Sequence, residues 1–315
     1  MNISVVIPLL NESQSLNELC NSICEVMSSY GFTYEIILID DGSTDESWEV
    51  IQTLSKNSAD IKGIKFKRNY GKSQALHAGF LNCNGDVVFT MDADLQDDPK
   101  EIPEMYDMII NDNYDLVSGW KKKRFDSILF KNIPSKIFNF AAKVTSGIKL
   151  NDFNCGLKAY KKDVVKNINV YGEMHRYIPV LAKNEGYHKI GEKIVNHRPR
   201  KHGNTKFGPS RFLHGFLDLI TIWFISSFGK RPMHLFGSLG LIMLTIGFLF
   251  AGFLGHDKIF VNPGGRLITE RPEFYISLVT MIIGSQFFSM GFIGELILKS
   301  INKSPQYVIQ KQTNL

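Results

Sequence analysis

The chain has 315 residues, 44% of them hydrophobic, and 36 Lys and Arg against 31 Asp and Glu give a formal net charge of +5. That length suits one large domain with an appendage, and the modest charge, with no binding module or basic–aromatic interleave, argues against nucleic acid as a partner. The four cysteines, Cys20, Cys24, Cys83 and Cys155, have no Cys or His partners at zinc-ligand spacing and read as small core residues with free thiols in a reducing compartment.

The chain opens on an apolar strand, Ile3 to Pro8, and residues 1–10 carry no basic region. No signal peptide is read, so the N-terminal portion is expected to stay in the cytoplasm. Strands are predicted near 3–8, 34–40, 61–66, 86–91 and 115–118, with helices between them. That alternation means an α/β domain with a mostly parallel sheet covered on both faces. Three strand ends carry polar or acidic residues. Asn11-Glu12 follow the first, Asp40-Asp41-Gly42-Ser43-Thr44-Asp45 follow the second, and Val87-Val88-Phe89 runs into Thr90-Met91-Asp92-Ala93-Asp94-Leu95-Gln96-Asp97-Asp98. Taken singly, each has a bland explanation: turn chemistry for Asp40 to Ser43, and a helix cap from Asp97 or Asp98 ahead of Pro99. Together they mark one site, because ligands of open α/β sheets sit at the carboxyl ends of strands. Two Asp one residue apart suit a hard divalent cation, Mg²⁺ or Mn²⁺, with positions left for substrate phosphates.

Beyond residue 120 the pattern changes. Residues of about 127–146 place apolar side chains at helical spacing with Lys131, Lys136 and Lys143 among them. A helix packed on the sheet and an amphipathic helix lying on a membrane both fit. Residues 210–229 are apolar but interrupted by His214 and Asp218, and read as an interfacial helix rather than a third span. Two stretches, about 233–254 and 274–298, approach the ~20 apolar residues that a bilayer requires. The polar link Gly255 to Pro272 makes them a hairpin. Lys230-Arg231 flank the entry and Lys299 and Lys303 the exit, while Lys258, Arg266 and Arg271 lie in the link, so the positive-inside signal is present but diluted. An even number of spans puts the 301–315 tail on the same side as the N-terminal domain. Glu295, near the end of the second span, suits helix packing or chemistry equally. The basic clusters at Lys121 to Arg124, Arg198 to Lys206 and Lys230-Arg231 suit phosphates or an anionic membrane face.

In order along the chain, Val6-Ile7-Pro8-Leu9-Leu10-Asn11-Glu12, Asp40 to Asp45, Arg68-Asn69-Tyr70-Gly71-Lys72 and Met91 to Asp97 resemble family 2 glycosyltransferases of the GT-A fold. The resemblance extends to Asp152-Phe153-Asn154-Cys155-Gly156-Leu157-Lys158-Ala159-Tyr160, to His197 through Phe207 and to Gly284 through Glu295. These are similar to the branch that uses polyprenyl phosphates, which includes dolichol-phosphate mannose synthases and bacterial undecaprenyl-phosphate sugar transferases. The resemblance implies a GT-A catalytic domain over 1–209, an interfacial helix at 210–229, a membrane hairpin at 230–300 and a cytoplasmic tail. It implies inverting transfer of a sugar from a nucleotide-diphosphate sugar to a polyprenyl phosphate at the cytoplasmic face of the inner membrane. Both substrates and the membrane are then its partners, and the oligomeric state is open.

The same resemblance assigns residues. Asp92, Asp94 and Gln96 hold Mg²⁺ or Mn²⁺, which neutralises the leaving nucleoside diphosphate. Pro8, Glu12 and Asp41 line the nucleoside pocket, with Asp40 an equal candidate. Lys72 reaches the base or sugar, or is a solvated loop lysine. Arg200 and Lys206 lie over the donor diphosphate; His197 and His202 receive no role. Asp152 is the candidate catalytic carboxylate, acting as base or as orienter. A phosphate-monoester acceptor, with a second pKa of about 6, is already a nucleophile at cytoplasmic pH. The greater need is then cations that bring two anions together: Arg124 first, with Lys131 and Ser135, although the basic run Lys121 to Arg124 also reads as a solvated or headgroup-binding cluster. None of Trp48, Trp120 and Trp223 follows an Arg, which disfavours the processive polysaccharide synthases. Asn204-Thr205 precede Lys206 where relatives often carry Ser, and Asp98 stands where Pro is common. A transferase with a hydroxyl lipid acceptor (diacylglycerol or ceramide) and an inactive membrane scaffold are the rival readings.

Overall fold

All seven residues of the first strand, β1 (Ile3–Leu9), are buried, as expected of a strand covered on both faces. β1 pairs in parallel with β2 (Tyr34–Asp40) and β4 (Val87–Thr90), and β2 with β3 (Ile61–Lys65). In this computed structural model, residues 1–122, 139, 143, 146–170, 172, 174–199, 220, 224, 228 and 231–301 are described. The chain divides into two units, Met1–Trp223 and Phe224–Leu315.

The first unit holds a seven-stranded sheet of order β3-β2-β1-β4-β6-β5-β7. β5 (Leu116–Trp120) and β7 (Ile190–Ile194) are mutually parallel, whereas β6 (Lys158–Lys161) runs antiparallel to both β4 and β5. The five expected strands are present, and β6 and β7 are additions. Neither carries an apolar run: Lys-Ala-Tyr-Lys in β6 and Ile-Gly-Glu-Lys-Ile in β7.

Helix α1 (Leu16–Ser29) buries Leu16, Leu19, Cys20, Ile23, Val26 and Met27, the stripe of a helix lying on a sheet. It is followed by α2 (Ser47–Asn57), α3 (Lys72–Asn82), α4 (Ile102–Ile110), α5 (Lys162–Asn167) and α6 (Ile178–Asn184). All four cysteines are free thiols, and Cys20, Cys83 and Cys155 are buried, as read from the sequence.

The second unit is built on α7 (Pro232–His256) and α8 (Pro272–Ile301). Mean hydropathy reaches 2.1 within Pro232–Val261 and 1.7 within Pro272–Leu298, so both are long and apolar enough to cross a membrane. Leu241, Phe248, Leu249, Phe253, Ile276 and Ile293 face outward, a surface suited to lipid. Inward, glycines let the backbones meet. A Cβ on Gly240 would lie 2.6 Å from the Gly284 carbonyl oxygen, and one on Gly284 2.8 Å from the Leu244 nitrogen. Close approach through small residues is how helices associate where no hydrophobic drive exists. The link between them is self-tied: Lys258 donates to the carbonyls of Pro263 and Gly265, and Arg271 pairs with Asp257 at 2.6 Å. The helices expected near 127–146 and 210–229, and the tail from 302, lie outside the described residues apart from isolated positions.

Candidate active site

Parallel pairing of β1, β2 and β4 places their carboxyl ends side by side. The loops after β1 and β2 are laced together. Asn11 N–H donates to Ser43 Oγ at 2.9 Å, Thr44 N–H to Asn11 Oδ1 at 2.8 Å, and Glu12 N–H to Ser47 Oγ at 3.0 Å. Pro8 is a buried member of β1.

The structure separates the two adjacent carboxylates that sequence left equivalent. Asp40 is buried, accepts the Ser43 N–H at 2.7 Å, and has Lys65 Nζ at 3.9 Å. Turn chemistry accounts for it. Asp41 holds a different segment, accepting the Tyr70 N–H at 2.7 Å and the Gly71 N–H at 2.9 Å, one on each oxygen. Burial pushes its carboxyl above the usual range against the pull of those two N–H groups. Gly71, at φ +97°, then turns the chain into α3. This conformation favours glycine. It makes Lys72 the first residue of the helix, and the Lys72 ammonium contacts Asp92 Oδ1 in a close ion pair. The Lys72 ammonium is thus ion-paired while 36% of its side chain stays exposed.

Asp92 leaves the end of β4, and β6 brings Gly156 against it. The strands pair Thr90 with Lys158, and Thr90 Oγ donates to the Gly156 carbonyl at 2.8 Å. A Cβ on Gly156 would lie 2.4 Å from Asp92 Oδ2, so only glycine admits the carboxylate in this position. Burial opposes the charge on Asp92, but the Lys72 and Lys121 ammonium groups outweigh it and hold the carboxyl well below the usual range.

Asp94 Oδ1 accepts the Gln96 N–H at 3.2 Å, and Leu95 between them adopts φ +63°. The Gln96 side-chain amide donates to the Arg198 carbonyl at 3.4 Å, and the Arg198 N–H returns a bond to the Gln96 carbonyl at 2.9 Å. Asp97 bridges His197, and Asp98 pairs with Arg198 at 2.6 Å. The acidic loop is thus zipped to the backbone of His197 and Arg198. Asp98 also caps the short helix at Pro99–Glu101, whereas buried Asp97 pairs with Lys121 at 2.8 Å. Contact with Asp97 more than offsets the burial of Lys121 and raises its pKa above the usual lysine range.

Asp152 is buried at a turn. Its Oδ1 accepts the Asn154 N–H at 3.0 Å, its N–H donates to Glu192 at 2.9 Å, and its carbonyl accepts from Ser118 Oγ at 3.3 Å. Lys158, on β6, is only 4% exposed and donates to the Cys155 carbonyl. Burial lowers its pKa against the opposing charges of Asp152 and Asp92. His175 exchanges bonds with Ser73, next to Lys72: its N–H donates to Ser73 Oγ at 3.0 Å, and Nδ1 lies 3.2 Å from the same oxygen. Burial first, then neighbouring cations, holds His175 well below the usual histidine value.

Lys121, Lys158, His175 and Gly156 were not singled out as site residues by sequence. Lys121 and Lys158 sat inside quoted motifs, but their burial follows from pairing across β5, β6 and β4, which no local pattern reveals. Arg124, Lys131, Ser135, Arg200 and Lys206 lie outside the described residues. Among the described residues no group of three His, Cys, Asp or Glu could by itself hold a metal. A hard divalent ion at Asp92 and Asp94 would have to draw its other ligands from substrate phosphates and water.

The model of the glycosyl transferase family 2 matches residues 4–168, more than half of the chain. The chain belongs to this family. Over 316 residues it is 34% identical to the dodecaprenyl-phosphate galacturonate synthase of Rhizobium johnstonii, covering 99% of this chain and 93% of that protein. Over 313 residues it is 34% identical to the undecaprenyl-phosphate 4-deoxy-4-formamido-L-arabinose transferase of Pseudomonas savastanoi pv. phaseolicola, covering 98% and 90%. Among solved structures, glucosyl-3-phosphoglycerate synthase from Mycobacterium tuberculosis in complex with Mg²⁺ and uridine diphosphate aligns with a TM-score of 0.55 at 16% identity, over 71% of this chain and 79% of that one. The same synthase with Mn²⁺ and UDP-glucose gives a TM-score of 0.54. These structures show the GT-A fold for the first unit. The protein is a family 2 glycosyltransferase with two helices able to cross a membrane.

Proposed function

We propose that this glycosyltransferase moves a sugar from a nucleotide-diphosphate donor to a polyprenyl phosphate, undecaprenyl phosphate in a bacterium, at the cytoplasmic face of the inner membrane. The observation that carries the reading is the ion pair of Lys72, at the start of α3, with Asp92, just past the end of β4, in a chain that matches polyprenyl-phosphate sugar transferases over nearly its whole length. Both named relatives act on a polyprenyl phosphate. The lipid-facing hairpin supplies the membrane attachment that such an acceptor requires.

Asp92 and Asp94 would hold Mg²⁺ or Mn²⁺; Gln96, whose amide reaches Arg198, is the weaker ligand candidate. When bound, the ion supplies positive charge against the leaving diphosphate. Lys72 would stand beside the same leaving group, joined by Arg200 and Lys206. Glu12 and Pro8 line the nucleoside side, and Asp41 shapes it by holding the Tyr70-Gly71 backbone. Arg124, Lys131 and Ser135 receive the acceptor phosphate, with charge-assisted bonds from Arg as the strongest contact. Because the acceptor is largely dianionic above a pH of about 6, Asp152 serves as an orienter rather than a strong base. Its turn hydrogen bond to Asn154 and its neighbour Lys158 favour that role. Direct attack by the acceptor inverts the anomeric centre and uses no enzyme nucleophile.

The test is transfer by the purified full-length protein, with undecaprenyl phosphate and a panel of UDP- and GDP-sugars. The expected products are a nucleoside diphosphate and a lipid carrying the sugar through a phosphodiester. Neither donor hydrolysis nor transfer with any donor would leave the inactive-scaffold reading in place.

A further inference from the structure

The ammonium of Lys72 sits on one oxygen of Asp92, and the other oxygen faces the Gly156 backbone with no room for a Cβ between them. One oxygen of the carboxylate expected to ligate the metal is thus held in an ion pair, and the other is packed against backbone. The backbone that leads into Lys72 is held in place. Asp41 fixes the two residues ahead of it through two backbone N–H bonds, and Gly71 sets the turn into α3. Two more ammonium groups stand behind it. Lys121 pairs with Asp97 at the base of the same loop, and Lys158 lies buried on β6 beside Gly156. Lys72 and Lys121 are thus paired with Asp92 and Asp97, and Lys158 lies near Asp152 and Asp92, so part of the negative charge that a free divalent ion would meet is already offset. A diphosphate would change that balance, adding at least two negative charges and giving Lys72 a better partner than Asp92.

We propose that Lys72 is a built-in competitor for the divalent cation at Asp92, so that the metal binds weakly alone and tightly only together with the donor diphosphate, which draws Lys72 away. This rests on the reading of Asp92 as a metal ligand, and assigns Asp41 a positioning role through Lys72. The consequence is a site that does not fill with metal without substrate. Lys72 then serves twice, as placeholder for the ion and as counter-charge for the leaving group.

The experiment is Mn²⁺ binding, followed by the electron paramagnetic resonance signal of free Mn²⁺, with and without UDP. It compares the full-length wild-type protein with Lys72→Met, Lys72→Gln, Asp41→Ala and Asp92→Asn. Removing one unit charge a few ångströms from the ion is expected to tighten Mn²⁺ binding without nucleotide by about tenfold or more in Lys72→Met and Lys72→Gln. Asp41→Ala, which frees the segment holding Lys72, should move affinity in the same direction by less. Asp92→Asn should abolish binding with and without UDP. If Asp92→Asn loses Mn²⁺ while neither Lys72 variant binds it more tightly than wild type, the competition is wrong and the metal assignment stands. If Asp92→Asn binds Mn²⁺ as wild type does, the metal assignment itself fails and the competition fails with it.

Discussion

At the scale of single residues, the site depends on groups that make room as much as on groups that carry charge. Gly156 is the clearest: a methyl group there would meet Asp92 Oδ2 at 2.4 Å. The atom it meets is the end of a side chain, so the fold can yield while the carboxylate moves. Gly156→Ala should therefore leave the thermal transition within a few degrees of wild type and lower the transfer rate by about tenfold or more, the usual penalty for a misplaced ligand. Near-normal turnover would show that Asp92 has no fixed position to lose. His175 gives a pH prediction. Its pKa in the folded chain lies well below the ordinary value of 6.5, because burial disfavours the imidazolium. Below that value the unfolded chain takes up a proton that the folded chain does not, down to the folded pKa. Stability is thus fully present above the unfolded pKa and falls as pH falls, by up to about 1.4 kcal/mol per pH unit. Replacing His175 with Gln should flatten the decline in Tm between about pH 6.5 and 5.5; an unchanged slope would show that His175 ionises as freely in the folded protein.

At the scale of elements, legibility followed locality. β1, β2 and β4 are continuous apolar runs closed by polar turns, and the acidic loops at their ends fell where a parallel sheet puts them. β6 and β7 escaped because their residues are polar or mixed, and the burial of β6 comes from neighbours distant in sequence, Thr90 and Ser118 against Lys158. For the same reason Lys158 passed unnoticed, since a lysine in a four-residue segment gives no sign that it lies inside a sheet. Asp40 and Asp41 were inseparable by sequence because what distinguishes them is a loop about thirty residues away. The hairpin was legible as two apolar runs, but its glycine contacts were not. Leu at Gly240 would drive a side chain into the Gly284–Phe288 backbone, and overpacking of this kind costs about 1–3 kcal/mol. Gly240→Leu should lower Tm in detergent, whereas Gly252→Leu, where a Cβ meets nothing within 4 Å, should not. Equal effects would show that the two helices do not pack through these glycines.

At the scale of the whole molecule, the proposed function makes the two long apolar helices the membrane anchor of a transferase on the cytoplasmic side. Two spans would return the chain to its starting side, so the link around Asn262 should face outside. Single cysteines placed in a background lacking the four native thiols test this. Asn262→Cys should react with an impermeant reagent in intact cells and a cysteine near Leu315 should not; the reverse pattern would overturn the hairpin topology. The central claim is that the acceptor is a lipid phosphate and that the Asp92–Asp94 loop serves the leaving diphosphate. It is tested most directly by initial transfer rates to undecaprenyl phosphate and to diacylglycerol, side by side, for wild type and Asp94→Asn with Mg²⁺ or Mn²⁺ present. The account predicts transfer to the phosphate lipid alone, reduced in Asp94→Asn by about a hundredfold or more, as for loss of a main electrostatic contribution to the transition state. Comparable transfer to diacylglycerol, or near-normal turnover by Asp94→Asn, would contradict it.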